Sequence, residues 1–299
     1  MRLITSLLFI GLLACTTAKA AESQFSFTYT TDLLPQGAKE VEQWLTWRTK
    51  KQSGTFDMIE GKTAFEYGLT DDFQLALYAS YAWTQAYHNG PNGATTPPEQ
   101  FSMDNPGADE HYTSTRLLGV SAEAIYRLLS PYKDGIGVAL YVEPTIGEKF
   151  LELENRLILQ KNFFDDTLTL AFNFTYAPEF RLVPSETPNT PDEWNMETDV
   201  NYSLAMSYRF TSNWWVGAEF VNEQERNSLN FIDMANDAYY LGPNIHYGAK
   251  SYFVTFTALA QMPWSKEHVS TTPGVVVDGY NLDVDNERYR LRAKIGFYF

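Results

Sequence analysis

The chain has 299 residues, a single cysteine, and 22 basic against 37 acidic residues, for a formal net charge of −15. So large an acidic excess excludes nucleic acid as the natural partner, because phosphates call for a basic face, and it is otherwise read as solvation of long surface loops. No apolar run after residue 20 approaches the roughly 20 residues of a transmembrane helix, yet aromatic residues are abundant (20 Phe, 19 Tyr, 7 Trp) at a mean hydropathy of −0.31.

Residues 1–20 read as a signal peptide. Arg2 precedes an apolar run over 3–14, and Ala18-Lys19-Ala20 offers a small-x-small cleavage site. Leu12-Leu13-Ala14-Cys15 competes as a lipoprotein box with Cys15 as the lipidated residue. Cleavage after Ala20 removes the only cysteine and takes the net charge from −15 to −17. The mature chain then has no disulfide, no thiolate metal ligand and no cysteine nucleophile.

Residues 21–38 form a lead segment, expected in the periplasm or as a partly inserted strand, that ends in the turn Leu34-Pro35-Gln36-Gly37. From residue 39 to 299 the chain alternates with period two, the mark of strands with unlike faces. Val41, Leu45 and Trp47 alternate with Glu42, Trp44, Thr46 and Arg48. Thr63, Phe65, Tyr67 and Leu69 oppose Glu60, Lys62 and Glu66, and after Thr70-Asp71-Asp72 the pattern returns through Phe73, Leu75, Leu77 and Tyr81. Residues 86–112 lose periodicity among Gly, Pro and Asn and read as a long loop. Next, Leu118, Val120, Ala122, Ala124 and Tyr126 oppose Glu123 and Arg127. Ile136, Val138, Leu140 and Val142 oppose Glu143, with Pro144 discordant in a ladder. Leu151, Leu153 and Leu157 oppose Glu152, Glu154 and Arg156. A strand over 168–176 and a proline-bearing loop over 178–195 lead to a strand whose polar face carries Asp199 and Arg209, and Glu219 follows on the next.

The last stretch decides the class. Phe299, Phe297, Ile295, Ala293, Leu291 and Tyr289 alternate with Arg292, Lys294 and Arg290. A closing strand that ends in a carboxy-terminal aromatic resembles the signal by which the barrel-assembly machinery recognises outer-membrane β-barrels, with Phe299, Phe297 and Ile295 facing lipid and the basic set facing the lumen. An edge strand of a secreted sandwich is the competing reading. The expected fold is all-β, a transmembrane antiparallel barrel of about 12 strands, with 10 to 14 admissible. Short turns near 71, 132, 163, 212 and 249 would face the periplasm and long loops near 98, 186, 230 and 275 the outside.

The candidate lumen-facing residues are Glu60, Lys62, Glu66, Glu123, Arg127, Glu143, Glu152, Glu154, Arg156, Asp199, Arg209, Glu219, Arg290, Arg292 and Lys294. Inside a low-dielectric wall such charges are costly unless paired or hydrated. They form a water-filled conduit, or they pair across a narrow lumen and close it. Arg290, Arg292 and Lys294 are expected to meet Glu42, Glu60 and Glu66 across the closure. His268-Val269-Ser270 has the spacing of an outer-membrane phospholipase pair but lacks the surrounding motif, so catalysis is not expected. No histidine pair has metal-ligand spacing, and no cofactor is expected.

The stretch from Tyr29-Thr30-Thr31 through Leu34-Pro35-Gln36-Gly37 to Trp44, with Tyr67-Gly68-Leu69-Thr70-Asp71 in the following hairpin, resembles a group of uncharacterised proteobacterial outer-membrane proteins. The hairpin is similar to that of transporters assigned to meta-pathway phenol degradation. The resemblance covers the first quarter of the chain. It implies an outer-membrane location and passage of small organic molecules, and it carries no catalytic residue over. The function expected is a passive channel for small organic or polar solutes. The alternative is a closed barrel that acts through its long outer loops.

Overall fold

A computed structural model describes residues 23–90, 92–101, 103–185, 190–232, 234–265, 275–277 and 280–299. The signal peptide with Cys15, and the His268-Val269-Ser270 stretch, lie outside the described residues. Twelve antiparallel strands close into one barrel. They are β1 (Lys39–Thr49), β2 (Thr55–Thr70), β3 (Phe73–Tyr87), β4 (Tyr112–Leu129), β5 (Gly137–Gly147), β6 (Phe150–Phe163), β7 (Leu168–Val183), β8 (Glu193–Thr211), β9 (Trp214–Arg226), β10 (Met234–Gly248), β11 (Tyr252–Gln261) and the closing strand β14 (Tyr289–Tyr298). A small hairpin, β12 (Val275–Val277) and β13 (Tyr280–Leu282), sits in the loop before closure. Each strand pairs with its sequence neighbour in the barrel, and β14 pairs with both β11 and β1, so no edge is left open.

The period-two pattern becomes a two-faced wall. On β1, Glu40, Glu42, Trp44 and Thr46 are buried inside, while Val41, Leu45 and Trp47 are exposed outside. The exposed outer set continues through Leu77, Val120, Leu140, Leu204 and Phe256, an apolar band of the kind a membrane-spanning barrel turns to lipid. The chain end is tied in: the Phe299 amide donates to the Lys39 carbonyl at 3.0 Å. Phe297 and Phe299 are exposed on the outer face, and Ile295 is half-buried.

Irregularities correct three details of the sequence reading. Leu118, expected outside, is the extra residue of a bulge, since Ser80 faces Gly119 but Tyr81 faces Leu117. The bulge reverses the alternation, so Leu117 points outward and Leu118 lines the lumen. Pro144 stays within β5 because it pairs with Leu153 on β6, while the pairing with β4 skips Glu143 and Pro144, where the missing N–H would have been needed. Pro178 lies inside β7, which takes in the first six residues of the expected loop, to Val183.

The largest departure is the lead segment. The sequence reading leaves 21–38 in the periplasm or as a partly inserted strand. Residues 23–35 instead run inside the barrel without strand structure, and most are buried. Their amides have no ladder partner, and buried amides must still be satisfied. Lumen side chains supply the acceptors. The amides of Ser26, Phe27 and Thr28 donate to the Glu219 carboxylate at 2.8, 2.8 and 3.0 Å. Asn173 accepts from the Tyr29 amide at 2.7 Å and donates back to the Tyr29 carbonyl at 2.9 Å. Gln160 takes the Thr31 amide at 2.7 Å and Gln74 the Leu34 amide at 2.8 Å. Apolar side chains of the segment fill gaps left by small or apolar inward residues. Phe25 packs on Ala171 and Ala205, and Leu33 on Ile125, Ala139 and Ile158. All these contacts lie in the half of the barrel nearer the short turns, so the segment crosses the lumen there as a plug.

Gly68 marks where the segment leaves the barrel. A Cβ there would collide with the Leu34 and Pro35 carbonyl oxygens. A Gly68→Val substitution is expected to displace residues 34–37 and to cost about 1–3 kcal/mol, the range for overpacking. A lower unfolding temperature of the heat-modifiable barrel, with faster proteolysis near residue 35, is the outcome to look for; an unchanged temperature would sink this account.

Candidate solute chamber in the barrel lumen

Above the plug, toward the long loops, the lumen opens into a chamber of about 310 Å³ floored by Ser26, Phe27 and Tyr29. An adjoining space of about 260 Å³ shares Lys62, Glu143 and Glu154 with it and extends to Glu152, Glu179, Arg181 and Asp199. The 3₁₀ turn Glu99–Phe101 of the long loop after β3 folds against this outer space.

Most of the candidate lumen charges find partners. Lys62 meets Glu143 at 2.8 Å across the barrel and lies 3.9 Å from the Tyr78 ring. Arg156 pairs with Glu154 on its own strand and stacks over Tyr29 at 4.4 Å. Arg127 meets Asp72 at 2.9 Å and the Thr31 carbonyl at 3.2 Å, at the short-turn rim. Glu123 accepts from the Tyr78 hydroxyl at 2.7 Å, and Glu66 from Gln74 Nε2 at 2.7 Å. Glu219 is spent on the plug. Arg209 is half-buried near the short-turn end and makes no ion pair among the described residues.

The expected closure pairs form in one case of three. Lys294 reaches Glu42 at 2.9 Å. Glu60 turns instead to Arg48 at 2.8 Å, and Arg290 to Glu287 at 2.6 Å and to both oxygens of Glu223. Arg292 has no carboxylate partner among the described residues. Its Nε donates to Thr46 Oγ1 at 2.8 Å, its Nη1 to the Ser26 carbonyl at 3.0 Å, and its guanidinium stacks 4.0 Å above Phe27. The physical reason is the plug, which brings acceptors and an aromatic face that no strand pattern contains.

Beyond the strands, Glu287 is buried beside Arg290 and Arg48. Burial alone would raise its carboxyl, but the two guanidinium groups prevail and hold it at about 2. Asp283, in the same loop, is pushed up to about 6 by burial and by Asp285.

Several functional side chains escaped the sequence reading. Glu179 and Arg181 lie on β7, where a loop was expected, Glu197 lies on β8 just after that stretch, and Arg181 bridges Glu179 at 2.8 Å and Glu99 at 2.9 Å. The alternation of Phe180 and Leu182 against Glu179 and Arg181 was the available signal, and Pro178 obscured it. Among the described residues, Glu40, Glu42 and Glu66, and separately Glu99, Glu197 and Glu225, bring carboxylate oxygens within 4.8 Å of one another. Lys294 at Glu42 and Arg181 at Glu99 make ion-pair networks of both. His246 is buried on Thr255, and His88 pairs with Asp109 in the loop after β3.

A model of a family of unknown function, DUF6662, matches residues 17–299. The chain belongs to DUF6662. No curated protein matches the sequence. Among solved structures, this DUF6662 chain is similar to the COG4313 outer membrane channel from Pseudomonas putida F1, with a TM-score of 0.56 at 9% identity over 89% of this chain and 97% of that one. It is also similar to the beta domain of the Bordetella autotransporter Brka (TM-score 0.53, 10% identity, 88% and 100% covered). The translocator domain of the autotransporter NalP from Neisseria meningitidis compares at a TM-score of 0.50, 8% identity and 90% and 91% coverage. At such identities the likeness is one of fold, and the DUF6662 fold is that of outer-membrane barrels.

Proposed function

We propose that this DUF6662 protein is an outer-membrane channel for small polar or organic solutes, narrowed by its own amino-terminal segment. The observation that carries this reading is the charged chamber inside a closed barrel whose outer face is apolar. Charges lining a low-dielectric wall are sustained by water or by a polar solute. Export through the signal peptide and recognition of Phe299 by the barrel-assembly machinery belong to this reading, as does outer-membrane lipid around the apolar band. So does the hairpin resemblance to phenol-pathway transporters, which favours a small organic solute. One observation favours a second reading, a closed barrel that works through its outer loops: residues 23–35 cross the lumen.

Planar-bilayer recording on the refolded mature protein separates the two. The channel reading expects small, stable unitary currents, with a salt-gradient reversal potential that shifts when Lys62 or Glu154 is neutralised. A correctly folded, heat-modifiable barrel that never conducts at any voltage would defeat it in favour of the closed barrel.

A further inference from the structure

The chamber charges are unevenly distributed around the barrel. In the ring of twelve strands, β14 lies opposite β6 and β1 opposite β7. In the chamber, the first pair of neighbouring strands carries Arg290, Arg292 and Arg48; the opposite pair carries Glu152, Glu154 and Glu179 against Arg156 and Arg181, which leaves it one negative charge in excess. The field inside the lumen therefore runs across it, from the closure wall to the far wall. Low-dielectric walls concentrate such a field instead of letting water screen it.

Ion pairs cancel much of this charge locally, and what they leave is informative. On the closure wall, Arg290 is saturated by Glu287 and Glu223, and Arg48 by Glu60 and Glu287. Arg292 keeps its Nη2 without an acceptor among the described residues while lining the chamber. On the far side, Glu152 of β6 and Asp199 of β8 make no ion pair or side-chain hydrogen bond among the described residues, and both are half-buried in the adjoining space. A donor is thus left over in the chamber and two acceptors in the space adjoining it, and the two spaces meet at Lys62, Glu143 and Glu154.

We propose that the chamber and the space adjoining it together bind small zwitterions, compounds with a carboxylate at one end and an ammonium at the other. The carboxylate takes the Nη2 group of Arg292, and the ammonium turns to Glu152 and Asp199. Singly charged solutes satisfy one wall and leave the other unpaired. The proposal deepens the channel reading by naming the solute class, and its chamber is the one that reading uses.

The test is isothermal titration calorimetry on the refolded mature protein in detergent, which needs no ion current. The probes are 4-aminobutanoate, butanoate and butylammonium. The zwitterion is expected to bind roughly ten-fold more tightly than either single-charge analogue, as one further charge-assisted hydrogen bond supplies. Arg292→Gln should remove that advantage and leave butylammonium binding unchanged. Glu152→Gln with Asp199→Asn should remove it and leave butanoate binding unchanged. Butylammonium binding as tightly as the zwitterion, equal loss of all three probes in either variant, or no binding of any probe to a folded barrel would each overturn the proposal. Unitary currents without zwitterion binding would defeat this site and spare the channel; binding without currents would do the reverse.

Discussion

Deleting residues 21–34 from the mature chain is expected to raise unitary conductance several-fold while the barrel still folds. The segment occupies the lumen between the chamber floor and the short-turn end, and its removal exchanges buried chain for water. The ladder that closes the barrel does not pass through it. Stability should fall, because Phe25, Leu33 and Leu34 are each almost wholly buried, and burial of such side chains contributes about 1.5–3 kcal/mol apiece. Glu219→Gln is the milder version. An amide oxygen cannot accept from the Ser26, Phe27 and Thr28 amides as the carboxylate does. Hydrogen bonds to a charged acceptor contribute about 1.5–3 kcal/mol each. The single substitution should therefore produce flickering between the wild-type current and the large current of the deletion. If the deleted protein conducts as the full chain does, the segment does not limit passage and the plug reading is lost.

Arg290→Met is expected to be among the most destabilising single substitutions in the lumen, at about 3–5 kcal/mol, the cost of stranding a buried charge. The guanidinium is 1% exposed and holds Glu287 and Glu223 together, with Tyr240 stacked at 4.4 Å. Its loss leaves two carboxylates facing Arg48 alone. Urea unfolding followed by heat-modifiability would read the loss. Adding Glu223→Gln and Glu287→Gln to the same chain should restore much of it, since the stranded charges are then gone. The pH dependence has a definite sign. Glu287 is held at about 2 in the folded protein, below its unfolded value near 4.3. It therefore contributes stability that is present above about pH 4 and lost as pH falls toward 2. In Arg290→Met this acid-side loss should shrink. A variant as stable as the parent, with the same acid sensitivity, would show that Arg48 alone suffices.

Much of the barrel was legible in the sequence because a strand writes its faces into every second residue. The alternation from Val41 to Phe299, the short and long connections, and the even strand count follow from local pattern and from the need to leave no edge. The class of most lumen charges was legible for the same reason. Their partners were not. Alternation places Arg292 on the inner face but says nothing about what stands opposite, which depends on ring closure and on β14 meeting β1. Leu118 was misplaced because a single extra residue in β4 inverts the parity, and a bulge has no period of its own. Glu179 and Arg181 were hidden by prolines that read as loop, although the sheet accommodates Pro178.

The sequence by itself determined a two-faced, edge-free wall and the charges on its inner side, since both are properties of neighbouring residues. Only the tertiary structure decided that residues 23–35 fold into the lumen and which charges stay unpaired. Their amides are satisfied by Glu219, Asn173, Gln160 and Gln74, which lie 40 to 193 positions away along the chain. No local pattern encodes a partnership at that separation; it exists once the barrel has closed around the segment.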